Sequence, residues 1–201
     1  RGVRPTSSRA REALFDVLAH ARFAERELIE GARVLDAFAG TGALGLEALS
    51  RGAAYANFME RDRDARALLT ANVKALGEDK AATVLAADAL HPPGATTPCD
   101  LIFLDPPYGE NVAAEALTAL AAQGGLADGA TVALELPAKG DFVAPGGFAP
   151  AGGLFRSPSP KYRMAQASAW FAVRPPIRDR LAPEARRPAM RRVCCGWSGR
   201  C

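Results

Sequence analysis

The sequence predicts an α/β fold: a doubly wound, mostly parallel sheet of seven strands, the last two forming a C-terminal antiparallel hairpin. Three observations carry this. Short apolar strands alternate with helical stretches between residues 34 and 136. The strands lack polar alternation, as expected where helices cover both faces of a sheet. Four acidic residues, Asp36, Glu60, Asp88 and Asp105, stand at or just past strand C-terminal ends, the edge where such sheets bind ligands.

Residues 8–19 read as a helix with Ala10, Leu14, Val17 and Leu18 on one face and Ser7 or Ser8 as its cap. Val34–Phe38 is an apolar strand broken only by Asp36, and Ala43–Arg51 is the helix that follows. Tyr55–Met59 is the second strand. Asp62 caps a helix reaching about Leu76, with Ala65, Leu68, Leu69, Val73 and Leu76 expected on its buried side. Ala82–Ala86 and Leu101–Leu104 are the third and fourth strands. Ala113–Ala122 is helical, Gly124-Gly125 stops it, and Thr131–Leu136 is the fifth strand. Leu154–Arg156 and Lys161–Val173 complete the sheet as a hairpin. Residues 1–174 form one domain in this reading. After Pro175-Pro176 periodicity ends, and residues 175–201 read as a basic, disordered tail, an RNA-binding arm or a cloning or frameshift remnant.

Composition narrows the class. With 201 residues and 49% apolar content the chain suits one domain with a real core. No apolar run approaches the ~18 residues of a membrane span. The start, Arg1-Gly2-Val3-Arg4-Pro5, carries neither a signal segment nor an initiator Met, as in a trimmed chain or a fragment. Cys194, Cys195 and Cys201 crowd the end, and Cys99 stands alone as a structural thiol. That spacing suits neither a disulfide framework nor zinc, so no metal and a reducing cytoplasm are expected. His20 and His91 lack a partner carboxylate at readable spacing. Net charge is +3, but residues 175–201 alone carry seven arginines against two acids. Arg1, Arg4, Arg9 and Arg11 form a second basic cluster, at the amino end.

Two motifs carry chemistry. In Val34-Leu-Asp-Ala-Phe-Ala-Gly-Thr-Gly-Ala-Leu-Gly45, Gly40 and Gly42 let backbone approach a ligand, and Gly45 allows close helix–sheet packing. The run satisfies the dinucleotide fingerprint, and Glu60 stands where a ribose would be gripped, so glycines alone leave nicotinamide cofactors and S-adenosylmethionine both open. Asp36 favours the second. A carboxylate there repels a pyrophosphate and attracts an ammonium or sulfonium. Asp88 suits an adenine amino group, with Ala89 and Leu90 beside the ring.

In Asp105-Pro106-Pro107-Tyr108 the prolines lock the backbone. An exocyclic amine can donate to the Asp105 carboxylate and the Pro106 carbonyl while Tyr108 stacks on the base. An oxidoreductase has no use for this motif, and a non-catalytic RNA-binding module would need neither motif intact.

These residues resemble the bacterial 16S ribosomal RNA (guanine(966)-N2)-methyltransferase family. Arg4–Phe15, Leu35–Gly52 and Asp105–Tyr108 carry the likeness, which covers about residues 4–173. It implies a Rossmann-like methyltransferase fold, S-adenosylmethionine as donor, and a guanine of 16S rRNA or of the assembling small subunit as acceptor; the oligomeric state is not read from the sequence, and a monomer is the default. By position, Asp36, Phe38, Gly40, Gly42, Glu60, Asp88 and Ala89 would line the donor. Asp105, Pro106, Pro107 and Tyr108 would hold the guanine. Arg4 and Thr6 would cover the site, and Arg9 and Arg11 would meet RNA phosphates. The basic β-hairpin that usually precedes Arg4-Pro5-Thr6 in the family is essentially absent, and the tail after Arg174 is unusually long and cysteine-rich.

Overall fold

A computed structural model of the chain describes residues 8–20, 27–106, 112–136, 144–146, 148–156 and 169–174. Helix α1 spans Ser8–Ala19. Strand β1 is Arg33–Asp36, α2 Ala43–Ser50, β2 Tyr55–Met59, α3 Arg63–Ala75, β3 Ala82–Leu85, β4 Cys99–Leu104, α4 Val112–Ala122 and β5 Leu126–Leu136. These five strands run parallel in the order β3-β2-β1-β4-β5. The order reverses direction between β1 and β4.

Both sheet faces are covered, which is why the central strands are apolar throughout. Val34, Leu101 and Phe103 face a core shared with α1, α2 and α3. Leu35, Ile102 and Leu104 face the other core, closed by Ala113, Ala116, Leu117 and Leu120 of α4. A register shift in β4 between Cys99 and Leu101 puts Cys99 on the α4 side, off strict alternation. Its buried sulfur accepts from Asn57 Nδ2 at 3.6 Å, in keeping with a structural thiol.

Two sequence expectations fail on particular side chains. Leu68 and Leu76 are 55% and 62% exposed rather than buried. Helix α3 buries Ala65, Leu69 and Val73, about one residue every turn, and Leu68 and Leu76 lie off that line. In α1 the buried face is Leu14, Phe15 and Leu18, with Val17 only half-buried. Phe15 packs its ring 5.5 Å from that of Phe103 and carries the Arg51 guanidinium 5.0 Å above it. Strand β5 starts at Leu126, five residues before the expected Thr131, because Gly129 (φ 72°) lets the chain stay in the ladder through its irregular start. Helix α4 ends at the left-handed Gly124, as its sequence indicates.

Gly45 does what was expected of it. A Cβ there would clash with the edge of the Phe58 ring, so α2 seats directly on β2. Gly45→Ala should cost about 1–3 kcal/mol through overpacking. Adding Phe58→Leu should recover part of that loss. Urea denaturation of the two single variants and the double variant tests this, and an unchanged midpoint for Gly45→Ala would refute the contact.

Candidate functional site

Strands β1 and β4 flank the switch point, where open α/β sheets bind ligands. Asp36 at the end of β1 lies in register with Phe103 of β4, so Asp105 follows two residues beyond on the neighbouring strand. Two motifs almost seventy residues apart therefore meet at one crevice. The ladder runs a little past the strands: the Ala37 N–H donates to the Phe103 carbonyl and the Ala39 N–H to the Met59 carbonyl, both at 3.0 Å. Phe38, half-buried, packs against the α4-side core.

Residues 39–42 then reverse the chain. The Gly42 N–H donates to the Ala39 carbonyl at 2.7 Å, and Gly40 (φ 54°) and Gly42 (φ 88°) sit in left-handed backbone. At Gly42 the need for glycine is also one of packing: a Cβ would strike the side chain of Leu69.

Gly42 is the N-cap of α2 and has no side chain to cap it. Asp36 supplies the cap from outside the helix. Its Oδ2 accepts from the Gly45 N–H at 3.0 Å, the third helical position, which an N-cap Ser or Asp would normally satisfy. Asp36 is 1% exposed, so it lies beneath the turn rather than open to a ligand and acts across it by its field. Burial drives its pKa up to about 7, the Gly45 hydrogen bond pulls it down, and the nearby Glu60 charge raises it further.

Glu60 is half-buried and clamps two amides. Its Oε2 accepts from the Gly40 N–H at 2.8 Å and its Oε1 from the Asp62 N–H at 2.7 Å. Each oxygen keeps a lone pair for a ribose hydroxyl. Arg66 fixes the same corner, its Nη1 donating to the carbonyls of Glu60 at 3.1 Å and Arg61 at 3.0 Å. Arg61 turns to Asp88, with Nη1 3.1 Å from Oδ2. The other Asp88 oxygen accepts from the Leu90 N–H at 3.0 Å. That amide, and then Arg61, hold the Asp88 carboxyl below the usual range. Asp88 thus makes a turn and an ion pair, and its oxygens keep further lone pairs. Ala89 is buried beside it, and a groove of about 580 Å3 lined by Leu85, Ala87, Asp88, His91 and Pro93 opens there.

Asp105 and Pro106 are half-buried just past β4. Pro107, Tyr108, Arg4 and Thr6 lie outside the described residues, as does the tail. Arg9 lies in α1. Arg11, expected to meet phosphate, has its Nε 3.8 Å from Glu47 Oε2, while Arg51 Nε takes Glu47 Oε1 at 2.8 Å, so Glu47 ties α1 to α2. Sequence reading missed two supports of the site: the Arg66 carbonyl contacts, and Asn72 on α3, whose Nδ2 donates to the Thr41 carbonyl at 3.0 Å. An Asn inside a helix, where its propensity is poor, was the available signal for the second.

The Asp36 environment has a pH signature. An Asp titrates near 3.9 in the unfolded chain and near 7 here, so the native state holds the extra proton between those values. Its favourable contribution is complete below about pH 4 and is lost as pH rises through 7. Asp36→Asn keeps an acceptor for Gly45 without the ionisation. Its melting temperature relative to the parent should climb by more than about 2 °C from pH 5 to pH 8, since 1 kcal/mol is worth about 2–4 °C at this size. A constant difference in a thermal scan without ligand would refute the shift.

Comparison with known proteins agrees with this geometry. A family model described as conserved hypothetical protein 95 matches residues 1–148. Ribosomal RNA small subunit methyltransferase D of Escherichia coli K12 is 40% identical over 134 residues, covering 67% of this chain and 64% of that protein. The match thus spans a little under two thirds of that relative's length. The protein of the same name from Haemophilus influenzae is 33% identical over 148 residues, 72% of this chain and 73% of its own. The solved structure of Escherichia coli yhhF aligns with a TM-score of 0.68 at 33% identity, over 88% of this chain and 90% of that one. The fold is a Rossmann-like methyltransferase fold with a parallel sheet. The chain, whose sequence carries the opening block, the glycine turn and the Asp-Pro-Pro-Tyr motif, belongs to the ribosomal RNA small subunit methyltransferase D family, described by its model as conserved hypothetical protein 95.

Proposed function

We propose that this chain transfers a methyl group from S-adenosylmethionine to the exocyclic N2 of a guanine in 16S ribosomal RNA, free or in the assembling small subunit. The observation that carries this reading is the meeting of the glycine turn and Asp105-Pro106 at the β1–β4 switch point. The names of the relatives support ribosomal RNA as the substrate class.

The residues present suit this donor. A buried carboxylate at the floor of the turn, raised by burial and by Glu60, is relieved by a cation above it and further strained by a pyrophosphate. Glu60 at the β2 end is placed for ribose hydroxyls, and the groove beside Asp88 and Ala89 for a flat heterocycle. Bound S-adenosylmethionine supplies an electrophilic methyl group on a sulfonium. The acceptor base enters unstacked, since a paired base cannot reach the crevice. Asp105 accepts a hydrogen bond from its amine, the Pro106 carbonyl accepts the other, and the nitrogen lone pair is aimed at the methyl. As the new N–C bond forms, the methyl–sulfur bond would break with its electron pair left on sulfur, releasing neutral S-adenosylhomocysteine, and Asp105 would receive the amine proton during or after that step. Positioning supplies most of the rate. Tyr108 stacks on the base held against Pro107, Arg4 and Thr6 cover it, and Arg9 and Arg11 serve the RNA backbone, with Arg11 exchanging Glu47 for phosphate.

In the same reading the domain is residues 1–174, with 175–201 a basic tail. Its sheet is completed by an antiparallel hairpin, β6 (Ala149–Arg156) and β7 (Ala169–Arg174), in the order β3-β2-β1-β4-β5-β7-β6. Backbone pairing of Val132 with Val173 and of Ala149 with Arg174 supports this.

Two measurements test the proposal. A cationic ligand lowers the Asp36 pKa, so S-adenosylmethionine binding near pH 6.5 should release protons, seen as a dependence of calorimetric heat on buffer ionisation enthalpy. Proton uptake, or preferential binding of NAD, would refute the donor. Asp105→Ala should cut methyl transfer to undermethylated small subunits by about 10²-fold or more while donor affinity stays within about twofold. Mass mapping of the product then reads the nucleotide; methylation at normal rate by that variant would remove Asp105 from the chemistry.

A further inference from the structure

We propose that Asn72, in the interior of α3, is a positioning residue that holds the Thr41–Gly42 peptide in the orientation the donor requires. The inference rests on the donor reading above. Asn72 is exposed, yet its Nδ2 reaches across 31 residues of sequence to donate to the Thr41 carbonyl at 3.0 Å. The Gly42 N–H, in the same rigid peptide plane, donates to the Ala39 carbonyl at 2.7 Å. That plane is therefore pinned at both edges, once by the turn and once by α3.

The pin has a physical purpose. Gly40 and Gly42, on either side of Thr41, both adopt positive φ, and glycine backbone such as Gly42, which borders this peptide, crosses between conformations at little steric cost. A Thr41–Gly42 peptide held only by the turn could rotate, carrying its carbonyl and N–H away from these partners and reshaping the turn. Helix α3 opposes this from two points, the Leu69 side chain packed where a Gly42 Cβ would be and the Asn72 amide on the carbonyl. The Asn itself is unfavourable within a helix. Its flank neighbours one turn away, Leu68 and Leu76, are exposed, so burial does not account for this side of α3. Arg66, on the same helix, holds the Glu60 and Arg61 carbonyls, so one helix supports both halves of the donor crevice.

The test uses the full chain with Asn72→Ala, Asn72→Asp and, as control, Thr70→Ala, whose hydroxyl bonds only within α3 to Arg66 O at 2.8 Å. Alanine raises helix propensity, so Asn72→Ala should fold with a melting temperature at least equal to that of the control. One hydrogen bond of ordinary net worth corresponds to about a three- to tenfold change. Asn72→Ala should bind S-adenosylhomocysteine that much more weakly, and Asn72→Asp, which sets a carboxylate against a carbonyl, more weakly still. KM for the donor should rise while kcat at saturating donor stays within about twofold. Amide hydrogen exchange at residues 41–43 should quicken in Asn72→Ala and not in Thr70→Ala. If the parent chain binds the probe and Asn72→Ala matches it in affinity and exchange, this inference alone is overturned. If the parent chain does not bind the probe, the donor reading falls and this inference falls with it.

Discussion

The hydrogen bond from the Gly45 amide to the Asp36 carboxylate is the contact on which the site depends. Helix α2 must begin at Gly42, where positive φ and the Leu69 side chain exclude any Cβ. A helix beginning on glycine has no capping side chain, yet its third amide is buried. An acid at the end of the preceding strand answers that need. The arrangement places a buried carboxylate, with a pKa of about 7, directly under the backbone that a ligand must approach. In the proposed reading, structural need and donor preference are met by one side chain. Anything cationic above the turn lowers the cost of the cap.

Around this contact, Glu60 and Asp88 also hold backbone amides. Glu60 clamps Gly40 and Asp62, and Asp88 holds Leu90 while pairing with Arg61. Acids crowded at one sheet edge would repel one another in an empty crevice. Amide donors and Arg61 offset that repulsion, while burial keeps the Asp36 carboxyl strongly raised. The edge is therefore preorganised: its oxygens are already oriented by the protein before a ligand adds its own donors.

Helix α3 is the second organiser. It shows the sheet only a narrow apolar line, which is a weak way to anchor a helix, and makes up for it with polar contacts at specific carbonyls. Arg66 and Asn72 touch backbone rather than side chains, so they constrain shape irrespective of which residues occupy the turn. On the other flank, Glu47 gathers Arg11 and Arg51, and Arg51 lies over Phe15. That joins the arginine-rich opening of the chain to the helix that begins at the glycine turn.

Local pattern by itself determined the alternation of strands and helices, the parallel sheet, and the two motifs at strand ends. These follow from apolar runs, glycine and proline, whose effects act within a few residues. The roles of Gly45 at Phe58 and of Gly124 as a helix stop were also legible, because each depends on one local geometry. What tertiary structure decided is where side chains point and what they touch. Asp36 lies under the turn rather than in the crevice, Asp88 pairs with Arg61, Arg11 meets Glu47, Leu68 and Leu76 face outward, and Asn72 reaches Thr41. Each of these depends on the distance between elements far apart in sequence. Periodicity gives the face of a helix to within about one residue, and hydrogen bonds across elements are decided by separations smaller than that.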